Sequence, residues 1–333
     1  MTDALLDVRD LSIHFRSGAR EVQVTRKVSF TIAPGEVVGL VGESGCGKTV
    51  TGLALMGLLP RGRSRVTGNI FLGGEDFAAM SPRQMRRVRG RRISMIFQEP
   101  MSALDPVFTI GEQISETLRA HRDVSVGEAR ARAIEALTQV GIPEPELRYD
   151  AYPHQLSGGM RQRAMIAIAL VCEPQLLIAD EPTTALDVTV QAQIVEVLGG
   201  LCARLGMAML FITHDLGLVA ETCSRLVTMY AGEVVEEGHI DDVLVRPRHP
   251  YSSGLLRSLP ALAQRKATLP AIPGRVPTVA EMPAGCRFRP RCAHARSVCE
   301  DPQSLVDSGN GHVRCCRQEE LVLPGALRGE VAA

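Results

Sequence analysis

Gly42-Glu43-Ser44-Gly45-Cys46-Gly47-Lys48-Thr49 is the stretch of this chain whose residue types and spacing point most directly to chemistry. Gly42, Gly45 and Gly47 let main-chain N–H groups converge on phosphate oxygens, Lys48 can reach terminal phosphates, and the Thr49 hydroxyl can hold magnesium. Ser44 and Cys46 belong to the same phosphate-binding stretch, and Cys46 reads as a small residue that fits, without a catalytic role. A second acidic element closes the apolar run Leu176-Leu177-Ile178-Ala179 with Asp180 and Glu181. A carboxylate at the C-terminal end of a buried strand can hold magnesium through water, and the next one can polarise an attacking water as general base. Two acids there would also suit the first turn of a helix. The phosphate loop in the same chain favours the catalytic reading.

The third cluster is sulfur. Five of the nine cysteines, Cys286, Cys292, Cys299, Cys315 and Cys316, fall in the last 48 residues. The first four are spaced C-x5-C-x6-C-x15-C, with Arg287, Arg289, Arg291 and Arg314 among them. Cations favour thiolates, and crowded thiols in a reducing compartment suggest a metal before disulfides. No C-x-x-C knuckle is present, so structural zinc is weakly indicated. Zinc with His294 or His312 in place of one cysteine, or reduced thiols with no metal, remain open.

Positioning these groups requires a parallel sheet. Val37-Val38-Gly39-Leu40-Val41 reads as a buried strand before the phosphate loop, and a helix is expected from about Lys48 to Leu59. Leu176 to Ala179 and Met209 to Thr213 alternate with helices, as βαβ units do. Leu11, Ile13 and Phe15, then Val28, Phe30 and Ile32, flank a turn at Ser17-Gly18 and read as antiparallel strands, with a short hairpin from Ile70 to Phe77 and a buried strand from Ile93 to Phe97. From about Gln98 to Gln155 the pattern is helical, with Ser125-Val126-Gly127-Glu128 as a capping box opening a helix to about Val140. Beyond Leu259 prolines multiply (Pro260, Pro270, Pro273, Pro277, Pro283) and periodicity fades, which reads as a linker to a small appendage.

With 333 residues, one large α/β domain and an extra piece are expected. Lysines and arginines number 37, as do acids, so no net field recruits nucleic acid or acidic lipid. The arginine run 83–92 lacks interleaved aromatics and reads as a solvated helix face. No run of about 18 apolar residues and no secretory leader is seen, which makes the cytoplasm the expected compartment.

Leu156-Ser157-Gly158-Gly159-Met160-Arg161-Gln162-Arg163 resembles the signature motif of ABC ATPases. The resemblance implies that Ser157, Gly158 and Gly159 bind the γ-phosphate of a nucleotide held by another subunit. Gln98 resembles the Q-loop glutamine, which contacts magnesium and the nucleophilic water. Thr184-Ala185-Leu186-Asp187 resembles the D-loop, with Asp187 at a dimer seam. His214 resembles the switch histidine that orients γ-phosphate and water, and Phe15 is the candidate for stacking on adenine, or a core strand residue.

The resemblance covers roughly residues 5–260. It implies an α/β P-loop NTPase of ABC type, with a mixed sheet core, an antiparallel β subdomain, a helical subdomain at about 98–160 and a Cys-rich C-terminal extension at 261–333. ATP and Mg2+ are the implied ligands. Gln98-Glu99-Pro100-Met101-Ser102-Ala103-Leu104-Asp105-Pro106 and His249-Pro250-Tyr251-Ser252-Ser253-Gly254-Leu255-Leu256 look like the oligopeptide and dipeptide importer subfamily, some of whose members carry nickel. That subfamily implies a second ATPase subunit, two transmembrane permease subunits, an indirect extracytoplasmic solute-binding protein, a location on the cytoplasmic face of the inner membrane, and a 4Fe-4S cluster on Cys286, Cys292, Cys299 and Cys315. A soluble ABC ATPase acting on ribosomes or DNA is the rival reading. Tandem domains or a long coiled coil would favour it, and neither is seen.

Overall fold

The structure is a computed structural model and describes residues 4–18, 20–184, 186–258 and 271–326. Pro260 and Pro270 of the expected linker, and Ala185 of the D-loop, lie outside those residues. Along the chain the strands are β1 (Leu6–Ser17), β2 (Arg20–Ile32), β3 (Val37–Val41), β4 (Ser64–Leu72), β5 (Glu75–Asp76), β6 (Ile93–Ile96), β7 (Leu176–Asp180), β8 (Ala208–Thr213), β9 (Arg225–Tyr230), β10 (Glu233–His239), β11 (Val306–Asp307) and β12 (Gly311–Val313). The chain divides into two compact units, one of residues 33–36 and 79–210, the other of residues 4–32, 37–78 and 211–326.

The second of these, here the loop unit, contains the antiparallel sheet β2-β1-β4-β5. Leu6 pairs with Ile32 and Ser17 with Arg20, so the alternating apolar residues produce the expected hairpin. Leu11, Ile13, Val28, Phe30 and Ile32 are all buried. The unit's other sheet is mixed: β3 runs parallel to β9, while β9, β10, β12 and β11 pair antiparallel in turn. The sequence pattern did not announce β9 and β10. Their turn places Ala231 and Gly232 at φ 47° and 83°, the left-handed pair of a tight hairpin, and alanine gives none of the usual Asn or Asp signal for it. Buried Glu233 and Glu236 further disguise β10.

The helix behind β3 runs Lys48–Leu55, shorter than expected. Gly57 turns left-handed at φ 59°, with Leu58 N–H bonded to Leu53 O and Gly57 N–H to Ala54 O, a paired C-terminal stop that releases the chain before Leu59.

The first unit, here the acid unit, carries the parallel pair β6 and β7, with β7 between β6 and β8. Helices fill the span expected to be helical, including Ile110–His121 and Val126–Gln139. Ser125 caps the latter by accepting Glu128 N–H at 3.2 Å. In the arginine run, Met85 and Val88 are buried while Arg83, Arg86 and Arg87 face solvent, as expected of a solvated face. Among the described residues one helix, Val188–Leu205, meets a length and composition test for spanning a bilayer. It carries Gln191, Gln193, Glu196 and Arg204 and buries Ile194, Leu198 and Leu201, the stripe of an amphipathic helix.

Candidate functional site

In the loop unit, Gly42 leaves β3 at φ 152°, where a Cβ would stand 2.1 Å from the Met229 carbonyl oxygen. Only glycine lets the chain turn this close to β9. Gly47 caps the Lys48–Leu55 helix at φ 103°, and the Thr51 hydroxyl donates back to its carbonyl at 2.8 Å. The helix N-terminus therefore opens directly behind the loop, as anion binding requires. Lys48 is buried, and its Nζ donates to the carbonyls of Gly42 at 2.7 Å and Glu43 at 3.2 Å. Phosphate oxygens could replace those acceptors. Ser44 and Gly45 are exposed, and Thr49 is half-buried. Cys46 is buried, and that burial pushes its thiol pKa up, in keeping with a residue that fills space.

Phe15 is half-buried near the end of β1, paired with Val22 and Ser64. His214 is exposed just after the buried residues of β8. Asp215 behind it accepts Gly217 N–H at 2.8 Å and so starts the next helix at once, fixing the end of the strand on which His214 stands.

In the acid unit, β7 is buried throughout and delivers Asp180 at 2% exposure. Glu181 turns into the left-handed region at φ 45°, a conformation costing about 1 kcal/mol or more for a residue with a side chain. Its Oε2 accepts from Gln98 Nε2 at 3.1 Å and from the Thr184 hydroxyl at 2.9 Å. The carboxylate is thus aimed by two neutral donors. Gln98 and Glu181, chosen on motif, are brought together. The Thr184 contact was not foreseen.

Ser157 is the exposed N-cap of the Gly158–Leu170 helix and accepts Met160 N–H at 3.3 Å. Asp187, also exposed, caps Val188–Leu205 through Val190 N–H at 3.0 Å. A Cβ on Gly159 would meet Val190 Cγ1 at 3.2 Å, so these two helix starts lie side by side.

Cys286, Cys292, Cys299, Cys315 and Cys316 all border one small pocket of the loop unit. Cys299 and Cys316 sulfurs are 4.0 Å apart. For Cys286, Cys292 and Cys315 the expectation that nearby arginines favour the thiolate is reversed. Burial pushes Cys286 up to about 11 and Cys315 up to about 12, and raises Cys292 too. The arginines are engaged elsewhere: Arg287 donates to Ala231 O, Arg289 to Glu300, Arg291 to Glu43 at 2.6 and 3.0 Å, and Arg314 to Val234 O at 2.8 Å and Gln303 O at 2.9 Å. Of the two histidines considered for zinc, His294 borders the pocket, while His312 is exposed and bonded to Glu237 at 2.7 Å. Among the described residues no group of three or more Cys, His, Asp or Glu stands assembled as metal ligands.

Comparison with known proteins gives residues 25–184 as a match to the family "ABC transporter" and residues 235–299 as a match to "Oligopeptide/dipeptide transporter, C-terminal region". A Sinorhizobium fredii protein named as a peptide ABC transporter ATP-binding protein is 49% identical over 324 residues, covering 96% of this chain and 97% of the relative. A Brucella melitensis protein named as a peptide import ATP-binding protein is 50% identical over 331 residues, covering 95% and 98%. Among solved structures, the ATP-binding cassette MJ0796, in a dimeric state bound to ADP and Pi, superposes with a TM-score of 0.63 at 26% identity over 71% of this chain and 98% of its own. The cbiO1 component of a Clostridium perfringens ABC transporter gives 0.61 at 26% identity over 73% and 91%.

Proposed function

The chain belongs to the ATP-binding subunits of peptide ABC transporters and is an ATPase, and from that membership we propose that a pair of such subunits turns over Mg-ATP to drive uptake of short peptides through separate membrane subunits. The observation that carries the catalytic part is the Glu181 carboxylate, held by Gln98 and Thr184 on a left-handed backbone. Such strain persists where the surroundings over-determine it, commonly at functional sites.

In this reading Gly42, Ser44, Gly45, Cys46, Gly47 and Lys48 cradle the phosphates, and Phe15 stacks on adenine. Thr49, Gln98 and Asp180 hold magnesium, which when bound neutralises charge developing on the phosphates. Glu181 takes the proton of the attacking water, Gln98 aligns that water and His214 positions the γ-phosphate. Ser157, Gly158 and Gly159 complete the site of the opposite subunit across a seam that includes Asp187, and the dimeric state of MJ0796 supports that arrangement. Residues 1–260 form the ATPase domain and 261–333 its extension. The partners are a second ATPase subunit, two permease subunits on the cytoplasmic face of the inner membrane and, indirectly, a solute-binding protein.

Glu181→Gln should lower ATP hydrolysis at least about 100-fold while leaving ATP binding intact. Near-normal turnover in that variant would reject the base assignment. Peptide accumulation in vesicles carrying the permease should fall with it.

Cys286, Cys292, Cys299 and Cys315 suit a 4Fe-4S cluster in donor type, and all four border one pocket. The cluster would brace the extension. Protein purified without oxygen should contain about four irons and four sulfides per chain, lost in Cys292→Ser. One zinc, or no metal, would overturn the cluster and leave the ATPase untouched.

A further inference from the structure

Glu43 is the first variable position of the phosphate loop, where the motif asks for nothing. In the structure all of its polar groups are held. Its carboxylate receives both terminal nitrogens of Arg291, at 2.6 and 3.0 Å. Its N–H donates to the Tyr251 hydroxyl at 2.8 Å. Its carbonyl accepts Cys46 N–H and Lys48 Nζ, each at 3.2 Å.

Arg291 lies 248 residues further on, inside the stretch between Cys286 and Cys292. Its side chain is 4% exposed and is itself fixed, with Nε donating to Pro273 O at 2.8 Å and the guanidinium lying 5.7 Å from the Tyr230 ring centre. Phe288 of the same stretch packs its ring 5.1 Å from Tyr230 and 5.4 Å from Tyr251. The pairing with Glu43 raises the Arg291 pKa, so its charge is permanent.

Two effects follow for a phosphate ligand. A bidentate pair fixes the loop's entry before the ligand arrives, which lowers the ordering cost of binding. It also neutralises a carboxylate that would otherwise stand, mostly out of water, beside a site for a triphosphate. We infer that Arg291 is a positioning residue of the phosphate loop, so that the cysteine-rich tail sets nucleotide affinity through Glu43. The inference rests on the reading of Gly42–Thr49 as the ATP phosphate site.

The test uses the full chain, a non-hydrolysable ATP analogue with magnesium, and titration calorimetry beside thermal unfolding. Arg291→Gln should weaken analogue binding about tenfold, within the usual range for coupling between sites. KM for ATP should rise in parallel while kcat at saturating ATP stays within about twofold. Glu43→Gln in the Arg291→Gln background should restore affinity to that of Glu43→Gln alone, because the uncompensated charge is then gone. A purely structural tail would instead lower the unfolding temperature, leave the affinity of the folded fraction unchanged and make the two substitutions additive; that result overturns the inference. Lys48→Ala separates the two readings. Loss of analogue binding there with Arg291→Gln unaffected sinks only this inference, whereas retained binding sinks the loop assignment and this inference together. Should Arg291→Gln fail to fold, Arg291→Lys, which keeps the charge but loses the two-pronged geometry, should still weaken binding severalfold. Parent-like affinity in Arg291→Lys together with Glu43→Gln would be the overturning result.

Discussion

The phosphate loop and the cysteine-rich tail share one compact unit but are held by opposite means. The loop is a main-chain object: Gly42 sits against the Met229 carbonyl, Gly47 caps a helix, and Ser44 faces solvent. The tail is a side-chain object, in which buried Arg287, Arg291, Arg314 and Arg317 each donate to main-chain carbonyls. Burial lowers the pKa of Arg287 and Arg314, a sign of what desolvating them costs. A segment without periodicity can therefore still be closely determined, by long cations serving as struts.

The comparison breaks most sharply at Gly42. Gly42→Ala drives a Cβ into backbone, and neither side can yield cheaply, so a loss of about 4 kcal/mol or more is expected, with nucleotide binding abolished. Thermal unfolding and analogue titration check both. Arg314→Met tests the other principle. Removing the strut leaves Val234 O and Gln303 O without it and should cost about 3 kcal/mol in denaturant unfolding. Parent-like stability would mean that the tail packs without its cations.

An effect of similar size is read by pH. Glu236 of β10 pairs with Val313 of β12, so it reports on the strand that receives the tail. Burial raises its carboxyl from 4.5 to about 7, despite N–H donation from Arg248 and His249. The folded state keeps a proton that the unfolded state loses, so this group's contribution drains away as pH climbs from 4.5 to about 7. Burial lowers His249 from 6.5 to about 3, and its contribution is lost as pH falls across that range. The two slopes cancel between 4.5 and 6.5, giving a plateau. Glu236→Gln should replace the plateau with stability rising by roughly 3 kcal/mol from the low end of that range to its top. A plateau that survives the substitution would show that these groups do not govern the profile.

What could be read in advance follows the same division. The β1–β2 hairpin was legible because Leu11, Ile13, Val28, Phe30 and Ile32 alternate, and alternation is a local property. The candidate base was legible because an apolar strand ends in two acids. Its support by Thr184 was not, since a hydroxyl three residues on has many uses. β9 and β10 stayed hidden behind a turn with alanine in the left-handed region and behind glutamates buried by pairing: Glu233 with Arg26, and Glu236 with main-chain N–H groups. Arg291 was noted only as a cation near sulfur. Its true partner is 248 positions away, and no window along the sequence joins them.

β12 has a consequence for how the chain behaves in company. Gly311–Val313 lies along β10, and the two-residue β11 lies along β12. Without them β10 would offer a row of unused N–H and C=O groups to any other extended chain, the usual route to aggregation. The tail is thus also a selvedge. It finishes the sheet with strands too short to recruit a neighbour, so a chain cut before residue 306 should be less soluble than the loss of a small extension alone would suggest.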